Sequence, residues 1–339
     1  MSASKALAWL CLAAPSVSAQ TPAVGIIDFY GLRRVQEQQL REVLGVREGD
    51  LPSASRTSLV RRLTTVPGVT RADVSIVCCT DDGKSVLFVG IEEGASPTPP
   101  ARAVLRGTRV LAPDIVATAA ALDSARSAAV LRGNSGEDVS QGHSLLNDST
   151  ARALQQRFVG FASRDLPTLR LVLQESGDSA QRALAAQVIA YHNDKRAVVP
   201  DLLSAIRDPS SAVRNDAMRA LAVIGAYARA HPELGIDIPA TPFVDMLRSL
   251  SWSDRNKASM ALMQLTNAQD TALLREIGAG ALPELSEMAR WKSGGHALPA
   301  FIVLGRIAGM SDDRVQSAWA RGDRLAVIAA AARATRAPQ

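Results

Sequence analysis

The stretch from Asp194 to Tyr227 restricts this chain more than any other, because it carries two apolar stripes of helical period separated by a single turn. Val199, Leu202, Leu203 and Ile206 fall at i, i+3, i+4 and i+7, the spacing that puts side chains on one face of an α-helix. Asp208-Pro209 interrupts the pattern, and Val213, Ala217, Ala220, Leu221 and Ile224 resume it. Two amphipathic helices joined so tightly cannot bury both stripes against each other, so the hairpin needs stacked neighbours of its own kind.

Those neighbours show as a period. Pro167, Pro200, Pro242 and Pro283 are 33, 42 and 41 residues apart, and each is expected in the first turn of a hairpin's first helix. Proline suits that turn because its missing N–H has no partner there anyway. Shortly after each proline comes a second marker, Arg182, Arg214, Arg255 and His296, at steps of 32, 41 and 41 residues. Arg214-Asn215-Asp216-Ala217 and Arg255-Asn256-Lys257-Ala258 share the pattern R-N-x-A. One helical hairpin per ~40 residues is the HEAT/armadillo range. Asp208-Pro209, Val213-Arg214, Ala217, Ala220-Leu221 and Ile224-Gly225 resemble a HEAT repeat, and the resemblance covers Asp165 to Met310. It implies an all-α helical-hairpin solenoid and says little about function. The marker arginines are expected to pair with acidic neighbours such as Asp208 between repeats. A row of ligand-binding arginines on the concave face is the alternative.

The first residues point to export. Lys5 precedes the short apolar run Ala6 to Ala14, and Val17-Ser18-Ala19 is a small-residue cleavage site. Residues 1–19 therefore read as a signal peptide cleaved after Ala19, too short for a permanent span. No later segment is apolar for long enough to cross a membrane, so the mature chain is expected in the bacterial periplasm, at most peripheral to the envelope. Cys11 follows Trp9-Leu10, unlike the small residues of a lipobox. With it removed, Cys78 and Cys79 remain. Adjacent residues on a strand point to opposite faces, so one buried and one surface thiol is expected, with a vicinal bridge as the alternative.

Residues 24–93 change period. Gly25 to Tyr30 reads as a strand, Val35 to Leu44 and Ser55 to Leu63 as helices, and Val69 to Ile76 as an alternating strand. Ala72, Val74, Ile76 and Cys78 fall on one face of it. Asp81-Asp82-Gly83-Lys84 signals a hairpin, and Ser85 to Glu92 returns. The opening Ile27-Asp28-Phe29-Tyr30-Gly31, the run Leu40-Arg41-Glu42-Val43-Leu44 through Val46 to Glu48-Gly49-Asp50, Pro67-Gly68-Val69 and the closing Ile91-Glu92-Glu93 resemble a POTRA domain. That resemblance implies an α+β domain of order β-α-α-β-β with a three-stranded mixed sheet, in an exported protein that handles other polypeptides. It also implies that the second strand lies at the sheet edge and accepts a partner's strand, with Thr70, Arg71, Asp73, Val74, Ser75 and Ile76 as contacts. An edge strand offers the unpaired N–H and C=O groups that β-augmentation needs. A domain that merely packs on its own solenoid is the alternative.

Residues 94–111 contain Pro97, Pro99 and Pro100 and read as an extended linker. Residues 112–164 supply two helices around a flexible loop, Gly133 to Gly142, and residues 311–339 supply two more. Both sets are expected to cap the solenoid ends.

Catalytic and metal signatures are missing from the sequence. It has no phosphate loop, G-x-S-x-G elbow or HExxH pair. His143, His192, His231 and His296 share no ligand spacing. Neither a cofactor nor a metal is expected, and no enzyme activity. A net charge of +5 over 339 residues is too mild and too interspersed to indicate nucleic acid. The polar-aromatic segment Ala289 to His296, with Trp252 one unit earlier, marks a partner-binding face of Arg214, Trp252, Arg255, Trp291, Lys292 and His296; inter-repeat packing is the alternative. The chain is therefore expected to be an exported, non-enzymatic adaptor for a protein or peptide. The alternative is an envelope-associated binder of peptidoglycan, lipid or another anionic ligand through the solenoid surface.

Overall fold

The computed structural model describes residues 22–80, 82–95, 101–103 and 105–336. The expected signal peptide and the prolines of the linker lie outside the described residues. The first unit contains β1 (Val24–Tyr30), α1 (Glu37–Leu44), α2 (Arg56–Leu63), β2 (Arg71–Cys78) and β3 (Ser85–Glu92), in the expected order. Gly45 ends α1 in the left-handed conformation, and Ser55 caps α2 by accepting the Ser58 amide at 3.2 Å. β3 is central, parallel to β1 and antiparallel to β2, which leaves β2 at the edge of a mixed sheet.

Alternation along β3 explains how the two parts of the chain join. Leu87, Val89 and Ile91 face α1 and α2 and pack with Leu40, Leu44, Leu59 and Leu63. Val86 and Phe88 point the other way and belong, with Tyr30, to the core of the solenoid. β3 is thus buried along its whole length, as a strand covered on both faces must be. The domain packs on its own solenoid through that face of the sheet.

The solenoid follows as hairpins. α3 (Pro113–Leu131) and α4 (Ser149–Arg164) form the leading cap; α5 (Leu166–Glu175) and α6 (Ser179–Ile189) open the stack. Then come α7 (Lys195–Ala205) with α8 (Ser211–Ala230), α9 (Thr241–Met246) with α10 (Trp252–Leu265), and α11 (Thr271–Met288) with α12 (Gly294–Ile307). α13 (Asp312–Ala320) and α14 (Arg324–Arg336) close it. Among the described residues no helix is long and apolar enough to cross a membrane.

The markers behave as expected only in part. Pro167 and Pro242 do lie in the first turns of α5 and α9, but Pro200 and Pro283 lie inside α7 and α11. Asp194 and Asp270 set those two starts instead, accepting the amides of Ala197 and Leu273 at 3.1 and 2.8 Å. The arginines form a ladder between units. Arg182 grips Asp208 with two bonds of 2.8 Å, and Arg214 reaches Asp254 at 2.7 Å. Arg255 reaches Glu287 at 2.8 Å. Burial pushes the Asp208 carboxyl up, yet Arg182, Arg102 and the Ser210 amide outweigh it and hold the group below the ordinary carboxylate range.

The structure adds local detail to these expectations and corrects some of them. The linker's far end lies along the stack: Arg102 enters the Arg182–Asp208 pair, and Gly107 exchanges backbone bonds of 2.9 and 2.7 Å with Glu175 and Gly177. The loop from Gly133 to Gly142 carries a strand, β4 (Glu137–Asp138), that pairs with β5 (Leu145–Leu146), and it folds over α8 through Glu137 and Arg219. Cys78 and Cys79 both lie exposed at the end of β2, joined as a vicinal disulfide, instead of one being buried. Ile76 shares the face of Val74 but sits past the cover of α2 and is 42% exposed.

Candidate functional site: the β2 edge and its cleft

The residues expected to form a partner-binding face on the solenoid are placed under the sheet. Phe88 stacks on Trp252 with ring centroids 5.0 Å apart and meets Trp291 at 5.1 Å and His296 at 5.3 Å. Arg255 lies over the Tyr30 ring at 4.7 Å, and the Tyr30 hydroxyl donates to the Leu250 carbonyl at 2.8 Å. Asp28 on β1 accepts the amides of Lys292 and Ser293 at 2.8 and 3.0 Å, capping the start of α12 with a carboxylate as the helix dipole favours. Burial raises the Asp28 carboxyl above its ordinary range, and those two amides oppose it. Trp252, Arg255, Trp291, Lys292 and His296 therefore hold the chain's own N-terminal domain. Their aromatic and basic character, which singled them out in the sequence, is that of an internal interface.

Arg214 is placed differently, because its unit ends beside β2. The N-terminal half of β2 and the turns before α8 and α10 enclose an open cleft of ≈ 750 Å³. Arg71, Ala72 and Asp73 line one wall; Arg214, Ser251 and Asp254 line the other. That volume falls in the roughly 300–1,000 Å³ typical of ligand clefts. One of the expected solenoid residues and two of the expected strand residues thus converge.

The remaining strand residues are distributed by alternation. Thr70 closes the strand start, its hydroxyl donating to the Glu92 and Gly94 carbonyls at 2.9 and 3.0 Å. Val74 is in the core, Ser75 is half-buried, and Ile76 is exposed outside the cleft. Arg71 projects into solvent with a guanidinium nitrogen 3.6 Å from buried Glu92.

The two sheet edges differ in access. On β1, Val24 exchanges backbone bonds of 2.8 and 2.7 Å with the turn at Gly49-Asp50, and the Ile27 carbonyl accepts Lys292 Nζ at 3.4 Å. That edge is covered. On β2 the Arg56 side chain donates to the Val74 carbonyl at 3.0 Å and pairs with Asp73. Arg56 is 69% exposed, so the arrangement is a surface pair that solvent competes with. Arg56 was missed from sequence, and only the packing of α2 against β2 brings it to the edge. Among the described residues no group of three or more His, Cys, Asp or Glu is placed to hold a metal ion.

No curated protein matches the chain. A designed armadillo repeat protein in complex with the peptide (KR)4 is structurally similar at 18% identity and a TM-score of 0.35, covering 56% of this chain and 95% of that one. The complex of CpcE and CpcF of phycocyanin lyase from Nostoc sp. PCC7120 is similar at 19% identity and a TM-score of 0.22, covering 52% and 90%. A family model of HEAT repeats matches residues 166–235, the segment from α5 to the turn after α8, so this part of the solenoid is built of HEAT repeats.

Proposed function

We propose that this chain is an exported, non-enzymatic scaffold of the bacterial envelope that binds a polypeptide partner as an extended strand added to β2. The observation that carries the reading is the ≈ 750 Å³ cleft, where an edge strand bearing the exposed Arg56 side chain runs beside Arg214 and Asp254. Main-chain bonds to β2 would supply affinity, and alternate side chains of the partner would meet the solenoid wall. Docking on α10 and α12 holds the sheet rigid, which lowers the ordering cost of binding. The POTRA-like order of residues 24–93 and the signal-like residues 1–19 support export and a polypeptide partner. No cofactor, metal or nucleic acid enters this reading.

The test is site-specific photocrosslinking in the native host, with the probe at Arg71 and a control probe at Glu42 on the exposed side of α1. A discrete adduct at Arg71 and none at Glu42 is expected, and its mass identifies the partner. Equal labelling at both positions, or none at Arg71, overturns strand addition at this edge.

A further inference from the structure

His143, in the loop before β5, is 5% exposed and sits 3.1 Å from the ammonium of Lys195, itself 3% exposed. An ammonium can only donate, so His143 Nδ1 is the acceptor and the ring proton resides on Nε2. That buried nitrogen makes no hydrogen bond, although the Gln141 carbonyl two residues back acts on the ring. The polar groups around it are already committed: the Tyr191 hydroxyl donates to the Ser144 carbonyl at 2.8 Å and accepts from Gln155 at 3.0 Å. Gln155 in turn accepts the Leu146 amide at 2.7 Å. The frame is therefore complete, and one donor is left over on the wall of a small pocket shared with Arg126, Tyr191, Asp216 and Arg219.

Charge at this place is in excess of one sign. Lys195 donates to His143 and to the Ala190 carbonyl at 2.9 Å, and among the described residues no carboxylate pairs with it. Arg219 is paired with Glu137, and Asp216 faces Arg219, Arg126 and Lys257. Asp138 also acts on His143 but pairs with Arg152, and Arg126 lies 3.8 Å from Asp123, so Lys195 is the buried cation here without a carboxylate partner of its own. Burial lowers Lys195 to about 8 and, with Lys195 beside it, His143 to about 4, so both would gain from a negative group nearby. A buried charge without a counter-ion and a buried donor without a hydrogen bond are costly unless something fills the place.

The geometry points to a binding pocket for a carboxylate group, held by the His143 Nε2–H and flanked by the guanidinium groups of Arg126 and Arg219. The cavity is only ≈ 70 Å³, so it takes the head of a ligand rather than a whole one. Asp216 in its lining disfavours a dianion such as phosphate. The carboxylate can belong to a free small acid or to the C-terminus of a polypeptide. The pocket is lined by residues of α3, α4, α6 and α8 and of the loop before β5, and it shares no lining residue with the β2 cleft, so its test is separate from that of the edge-strand reading.

The probes are acetate, inorganic phosphate, and one short peptide with a free or an amidated C-terminus, each added to the mature chain at constant ionic strength set with chloride. The readouts are the imidazole nitrogen and Nε2–H signals of His143 by NMR and the binding isotherm. Acetate or the free-acid peptide is expected to shift the Nε2–H signal saturably and slow its exchange, with phosphate weaker. A response to acetate alone identifies a small acid, and loss on amidation identifies a polypeptide terminus. His143→Phe removes the donor and keeps a ring, and is expected to weaken binding by roughly tenfold or more, ~1.4 kcal/mol. Should that variant misfold, Arg126→Gln at the exposed rim is expected to weaken binding several-fold with the helical spectrum unchanged. A His143 signal that no probe moves means that the Nε2–H holds water only and overturns the assignment. Binding that both substitutions leave intact overturns it equally.

Discussion

Phe88→Ala tests whether the sheet and the solenoid are one cooperative body or two tethered modules. Phe88 is fully buried, and its ring contacts come from the solenoid: Trp252 at 5.0 Å, Trp291 at 5.1 Å and His296 at 5.3 Å. Truncating a buried phenylalanine to alanine costs ~3–5 kcal/mol in lost transfer and residual cavity. Collapse of the neighbours into that space is hindered, since Trp291 is 2% exposed and Tyr30 is tied to Leu250. A value near ~4 kcal/mol is therefore expected. At about 2.1 cal/mol/K per residue, a cooperative unit of this size unfolds with an entropy near ~0.7 kcal/mol/K, which converts the loss to a Tm drop of about 6 °C. Circular dichroism at 222 nm reports mostly the solenoid helices, while Trp252 and Trp291 fluorescence reports the interface. Both signals should fall together, about 6 °C early. Two transitions, with only a minor one displaced and the helical melt unmoved, would refute the fused core.

Other consequences follow from the same contacts. Gly90→Ala places a Cβ 2.6 Å from the Tyr30 hydroxyl and 2.7 Å from the Leu250 carbonyl, neither of which can retreat, so an overpacking cost of ~1–3 kcal/mol is expected in urea denaturation. Asp208→Ala leaves buried Arg182 without its counter-ion, with Arg102 losing its partner too, and should destabilise by ~3–5 kcal/mol; a loss under ~1 kcal/mol would contradict the buried ladder. His143 is held neutral, with its folded value depressed from 6.5 to about 4. Its contribution is present above pH 6.5 and is lost as pH falls through 6.5 to about 4, worth about 3 kcal/mol in total. His143→Asn should therefore flatten the fall in unfolding free energy between those pH values, and an unchanged slope would contradict it. Arg56→Ala exposes the Val74 carbonyl and should raise the crosslinking yield at Arg71, while changing stability by less than ~1 kcal/mol because the pair is at the surface.

Local pattern alone determined a good deal of this protein. The 3.6-residue stripes of α7 and α8, the ~40-residue period and the β-α-α-β-β order were readable because each follows from side-chain spacing along a short stretch. So was the edge position of β2, carried by the resemblance of residues 24–93. Helix starts were harder to place. Pro200 and Pro283 looked like first-turn residues, but Asp194 and Asp270 capped those helices earlier, and proline can occupy an interior position when its helix is packed on neighbours. Tertiary structure alone decided which polar and aromatic residues are available to a partner. Tyr30 and Leu250, or His143 and Lys195, are brought together by pairing between segments 220 and 52 residues apart, and no local spacing encodes such meetings. The two sides of β3 look equally apolar in sequence, so only the docked solenoid shows that both are covered. Trp252, Trp291 and His296 have the composition of a binding face because they are one. The surface they bind is the chain's own sheet, and burial of apolar area does not distinguish an internal partner from an external one.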